Sequence, residues 1–129
     1  MEGKTAVRTE NAPAPFQGAP YSQAIKAAGL VFVSGQLPLA PGGSEMVGPA
    51  IEEQTAQTLD NLEAILTQAG SGLDRIVKTT VFLADRSDFQ GMNSVYAERV
   101  GATPPARSTV EVAALPSGAL VEIEAIALL

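Results

Sequence analysis

Residues 76–84 read IVKTTVFLA, and these nine positions decide the fold. β-Branched and aromatic side chains dominate them, which favours an extended, pleated backbone. Side chains on a strand alternate, so Ile76, Phe82 and Ala84 should face one way and Val77, Val81 and Leu83 the other. Both sets are apolar, so the strand is expected inside a sheet covered on both faces.

Two helices flank this strand in sequence. In Ala50–Ala69, Ile51, Thr55, Leu59, Leu62, Leu66 and Ala69 recur at three- and four-residue steps and form one apolar stripe. Glu52 and Glu53 suit the positive end of that helix, and Gly70 suits its C-terminal cap. Ser87-x-x-Gln90 resembles a capping box opening a second helix through Phe89, Met92, Tyr96 and Val100, up to Gly101.

Further strands are expected at Gly29–Ser34 (GLVFVS), Arg107–Val112 and Leu120–Leu128, with a short one at Lys4–Arg8. Asn11–Pro20 and Pro38–Gly48 read as loops, and the glycines of the second lack a phosphate-cradle spacing. The order β–β–α–β–α–β–β predicts an α+β fold: a single mixed β-sheet with two α-helices packed on one face, in one domain over 1–129. Two helices cover only one sheet face. With no second domain to cover the other, a second copy of the chain is the expected partner, so the protein is predicted to be a homo-oligomer.

Composition narrows the chemistry. The chain has no cysteine and no histidine, which removes thiol nucleophiles, Ser–His triads, haem ligation by histidine and nearly all zinc enzymes. No metal site and no cofactor is expected. Eight basic against fourteen acidic side chains give a net charge of −6 with no basic stripe, so nucleic acid is a disfavoured partner. No apolar run reaches the ~20 residues of a membrane span, and MEGKTAVRTE does not read as a signal peptide, so the cytoplasm is the expected compartment.

Three places hold candidate chemistry. In TPPARST (103–109) two prolines stiffen the approach to Arg107, whose guanidinium suits two-point capture of a carboxylate; the alternative is a surface arginine. In VEIEAI (121–126) Glu122 and Glu124 share a strand face about 6.6–7 Å apart. They either line a cleft, where one would move a proton near neutral pH, or simply face solvent. In GAPYSQ (18–23) a rigid turn aims Tyr21, either at a ligand or into the packing.

These segments resemble the YjgF/RidA family of enamine/imine deaminases. The similarity runs through GAPYSQAI (18–25), VFVSGQLP (31–38), QTLDNLEAIL (57–66), IVKTTVFLAD (76–85), MNSVYAE (92–98), PPARSTVEVAALP (104–116) and VEIEAIA (121–127). The resemblance implies a chorismate-mutase-like fold, a homotrimer with a barrel-like core, and clefts between subunits. It implies hydrolysis of 2-aminoacrylate and 2-aminocrotonate, as imines, to 2-oxo acids and ammonia. By the same resemblance Arg107 binds the substrate carboxylate, helped by Ser108 and by backbone N–H groups near Thr109. Glu122 activates water, Tyr21 closes the cleft, and Ser34, Gly35 and Asn93 line it. Thr109 stands where many relatives carry cysteine, so thiol-based regulation does not transfer. Two alternatives remain: an endoribonuclease or translation inhibitor, a label some family members carry, and a non-catalytic sensor whose Arg107 cleft merely binds 2-oxo or amino acids.

Overall fold

A computed structural model describes residues 3–43 and 45–129; the sequence readings of the N-terminal segment and of Pro38–Gly48 extend over residues outside that set. Among these residues six strands and two α-helices follow one another: β1 (Thr5–Val7), β2 (Ala24–Ala27), β3 (Leu30–Gln36), α1 (Ile51–Ala69), β4 (Ile76–Leu83), α2 (Phe89–Arg99), β5 (Ala106–Glu111) and β6 (Val121–Leu128). They form one mixed sheet in the order β1-β2-β3-β6-β4-β5, with β4 and β5 parallel and every other pair antiparallel.

Both helices lie on one face, as the sequence predicts. Leu59, Leu62, Ile65 and Leu66 of α1 are fully buried in one cluster with Val31 and Val33 of β3, Val81 and Leu83 of β4, and Val121, Ile123, Ala125 and Ala127 of β6. Met92 and Tyr96 bring α2 into the same cluster. Gly70 ends α1 in the left-handed conformation at φ 90°, where its N–H reaches the Leu66 and Thr67 carbonyls. Arg99 ties the two helices together at the surface, 2.9 Å from Asp60 and 3.2 Å from Glu63.

The structure departs from the sequence pattern at four places. Strand β2 has no counterpart among the elements the sequence predicts. It pairs with β3 through a two-residue turn in which both Ala28 (φ 55°) and Gly29 (φ 80°) take positive φ. Such tight hairpins favour Asn-Gly or Asp-Gly, so Ala-Gly conceals the turn. Strand β3 does not stop at Ser34 but continues through Gly35 to Gln36, because its register with β6 slips by one residue between Val33 and Gln36, a bulge. Ile76 faces the core with Thr79, Val81 and Leu83 whereas Val77 faces out, because a second bulge between Ile76 and Lys78 breaks the alternation. Finally, Ser87 does not cap α2. Its N–H donates to Asp85 Oδ1 at 2.8 Å and starts a 3-10 turn, Arg86–Asp88, that leads into the helix.

Among the described residues no element covers the other sheet face. Phe32, Val77, Val110 and Leu128 stand exposed there, with Phe82 and Ile126 half-buried among Lys78, Thr80, Glu122 and Glu124. Among the described residues no helix is long and apolar enough to cross a membrane.

Candidate active site

The bulge in β3 places the first half of the site. Its central strand neighbour, β6, buries Ile123, Ala125 and Ala127 against the helices, so Glu122 and Glu124 must point to the open face. Glu122 folds back over the bulge, and its carboxyl group occupies the space a β-carbon on Gly35 would take, with Cδ 2.9 Å from that point. A glycine inside a strand pattern is the sequence signal for such a close approach.

Around this carboxylate lies an open groove of about 450 Å³, lined by Phe16, Ala19, Tyr21, Ser34, Gly35, Leu37, Pro116, Glu122 and Glu124. Burial pushes the Glu122 carboxyl above its ordinary range, and the neighbouring charge of Glu124 pushes it further the same way. A carboxyl group so placed can take or return a proton closer to neutrality than a solvated one. Glu124 is exposed and makes no ion pair among the described residues. It therefore acts on Glu122 as a like charge instead of sitting in a contact of its own.

The Tyr21 side chain is held at the groove by the backbone of Phe16. The Phe16 N–H donates to the Tyr21 hydroxyl at 2.5 Å, leaving the phenolic proton free to donate elsewhere. Gln23, buried two residues on, fixes the preceding loop: its amide donates to the carbonyls of Thr9, Ala12 and Pro13, and its Oε1 accepts from the Thr9 N–H at 2.8 Å. Nothing in the sequence sets Gln23 apart from an ordinary loop residue, since only its burial reveals the role. Ser34 donates its hydroxyl proton to the Ser22 carbonyl at 2.6 Å, so toward a ligand it can only accept.

The second half of the site lies elsewhere. Arg107 pairs in register with Thr79, which in turn pairs with buried Ala125, so Arg107 points to the helix-covered side. There its guanidinium stacks on α2, 4.8 Å from the centre of the Tyr96 ring and 5.6 Å from that of Phe89. Asn93 falls on the same helical stripe between those two aromatic residues. Thr109, two residues along β5, shares the Arg107 face, whereas Ser108 is exposed on the open face opposite Thr80. Arg107 makes no ion pair among the described residues.

One chain thus brings Tyr21, Ser34, Gly35 and Glu122 together, and separately groups Arg107 with Asn93 and Thr109. Glu122 is in register with Phe82 and Val110, two strands and three residues from Arg107. Strand spacing and rise put their Cα atoms roughly 14 Å apart, with side chains on opposite faces. A larger groove of about 940 Å³ runs past Arg8, Thr9, Glu10, Gln23 and Gln68 and shares Tyr21 as a wall. It contains neither Glu122 nor Gly35, and its carboxylate, Glu10, is exposed, so the smaller groove is the better candidate for chemistry. Among the described residues no group of three or more acidic side chains gathers as a metal site would require.

Comparison with known proteins matches residues 9–129 to the family model described as endoribonuclease L-PSP. A RutC family protein of Pyrococcus horikoshii is 51% identical over 124 residues, covering 96% of this chain and 97% of the relative. The chloroplastic Reactive Intermediate Deaminase A of Arabidopsis thaliana is 50% identical over 126 residues, 98% of this chain and 66% of that one. Among solved structures, yeast Mmf1 superposes with a TM-score of 0.92 at 44% identity, covering 98% of each chain. E. coli TdcF, solved with bound serine, gives 0.88 at 38% identity, covering 97% of this chain and 98% of that one.

Proposed function

The chain belongs to the YjgF/RidA/RutC family, and from that membership we propose that it hydrolyses reactive imines of small 2-amino acids to 2-oxo acids and ammonia. The observation that carries this reading is Glu122, half-buried over Gly35 beside Tyr21, with its carboxyl held above the ordinary range. A relative named as a reactive intermediate deaminase and a relative solved with bound serine support the same substrate class.

In this reading Arg107 grips the substrate carboxylate with its planar fork of N–H donors. Glu122 takes one proton from water as the oxygen bonds to the C=N carbon and returns it to the nitrogen, giving a carbinolamine; it then carries the carbinolamine O–H proton to the nitrogen as the C–N bond breaks, so ammonia leaves and the C=O bond forms. A protonated imine is already electrophilic, so positioning plus one base suffices. Tyr21 orients the substrate from the groove wall, with Asn93 and Thr109 on the arginine side; Ser108, on the open face, is not part of that group.

Because Arg107 and Glu122 stand on opposite faces of one sheet, the reading has the site form between copies, Glu122 from one and Arg107 from the next. The uncovered apolar sheet face is the surface such an assembly would bury, and we take the assembly to be a homotrimer. An RNA-cleaving role, the sense of the family model's own description, fits less well with a net charge of −6 and two carboxylates in the groove.

The test is release of ammonia and 2-oxo acid from freshly generated 2-aminoacrylate, which the protein should accelerate well above the buffer rate. Saturable binding of 2-oxobutanoate with no such acceleration would make the protein a sensor instead of an enzyme.

A further inference from the structure

We propose that Tyr96, anchored by Thr79, is a positioning residue that holds the Arg107 guanidinium ready for a carboxylate. The inference rests on the reading of Arg107 as the carboxylate-binding group.

Tyr96 is 5% exposed and Thr79 1%, and their hydroxyl oxygens lie 2.6 Å apart. That bond crosses from α2 to β4 and fixes the tilt of the ring. Thr79 is also the register partner of Arg107 on the neighbouring strand, so the ring is fixed from the residue beside the arginine it carries. The guanidinium carbon sits 4.8 Å over the ring, within cation–π range.

The choice of an aromatic platform has a chemical consequence. A carboxylate partner would hold Arg107 by occupying its N–H donors, the groups a substrate needs. A ring face holds the cation through its flat side and leaves the donors at the edge unspent. It also restricts a side chain that otherwise samples many rotamers, so less freedom is lost when a ligand binds. Phe89 adds a second aromatic contact at 5.6 Å but is exposed and lacks an anchoring hydroxyl, which assigns the orienting role to Tyr96.

The experiment uses the full chain and reads two quantities. One is the NMR order parameter of the Arg107 Nε–H, assigned by its loss in Arg107→Ala. The other is the Kd of 2-oxobutanoate beside that of its neutral amide, 2-oxobutanamide. Tyr96→Leu should move the Arg107 Nε–H from the rigid to the flexible range and weaken 2-oxobutanoate about tenfold. It should leave the amide within about twofold, since only the carboxylate needs the fork. Tyr96→Phe and Thr79→Val keep the ring and remove the hydroxyl pair, so both should fall between wild type and Tyr96→Leu. These two variants, checked by melting, carry the test if Tyr96→Leu does not fold. Equal weakening of acid and amide, or an unchanged order parameter in the folded variants, overturns the proposal. Failure of the wild type to bind 2-oxobutanoate would sink the proposed function instead, and the order parameter alone would then decide whether Tyr96 holds Arg107.

Discussion

The Glu122 carboxyl group lies against Gly35, with its Cδ 2.9 Å from where a β-carbon at position 35 would stand. Gly35 does not need positive φ, so the glycine serves the close approach and not the backbone conformation. Gly35→Ala should therefore fold, because the clashing atoms are the far end of a flexible side chain, but Glu122 must swing away. The expected result is a loss of kcat of roughly tenfold to a hundredfold, the range associated with misplacing a catalytic group, with the melting temperature lowered by only a few degrees. Steady-state imine hydrolysis beside a thermal melt checks it; unchanged kcat in Gly35→Ala would show that the Glu122 position is not used.

Glu122→Gln keeps the shape but cannot accept a proton, so kcat should fall roughly 10²-fold or more. In the wild type, kcat/KM should drop tenfold per pH unit below an apparent pKa above the ordinary carboxylate range. Glu124→Gln should leave kcat within a few-fold and move that acid limb to lower pH, because it removes one of the two causes of the shift. The stability consequence has a definite sign. The folded chain binds the Glu122 proton more tightly than the unfolded chain, so the residue's stabilising contribution is complete below the ordinary carboxylate pKa. It is lost as pH rises through the raised value. Glu122→Gln should accordingly melt above wild type at neutral pH, with the gap closing in acid. If Glu124→Gln is the inactive enzyme and Glu122→Gln the active one, the two roles are exchanged.

Arg107→Lys retains the charge but loses both the planar fork and the stacking on Tyr96. We expect at least about a tenfold loss in kcat/KM, about 1.4 kcal/mol. Arg107→Ala should remove measurable turnover while leaving the oligomer intact by light scattering. Near-normal turnover in Arg107→Ala would move carboxylate binding to another residue.

Most of the architecture was legible in local patterns. The α1 stripe, the β4 and β6 strands and the mixed α+β order follow from periodicity; Arg107 and the Glu122–Glu124 pair stand out by residue type, and only the family resemblance selects Glu122 of the two. What stayed hidden depends on contacts between distant segments. The β2–β3 hairpin turns on Ala28 at φ 55°, a conformation alanine does not advertise. The inward turn of Ile76 depends on a bulge set by pairing with β6. Tyr96 and Phe89 looked like ordinary members of an apolar helical stripe, and only the fold puts Arg107 on them. Gln23 is a polar residue in a loop until its burial and four hydrogen bonds are seen.

The placement of Arg107 and Glu122 on opposite sheet faces leads to the sharpest prediction about assembly. If each site takes Glu122 from one copy and Arg107 from its neighbour, then Arg107→Ala and Glu122→Gln chains are each inactive alone yet complementary. An Arg107→Ala chain still offers an intact Glu122, and a Glu122→Gln chain still offers an intact Arg107. Where the first meets the second in the right order, one wild-type site forms. Unfolding and refolding an equal mixture should distribute the two chains at random in a ring of head-to-tail contacts, so about one site in four is intact and about a quarter of wild-type activity returns. A site built within one chain predicts something different, because neither variant then holds both residues and no mixing can restore them. The measurement is ammonia release by the co-refolded mixture, with each variant refolded alone as the control and light scattering to establish a trimer. Recovery to about a quarter supports the shared site, and a mixture no more active than its components would remove it.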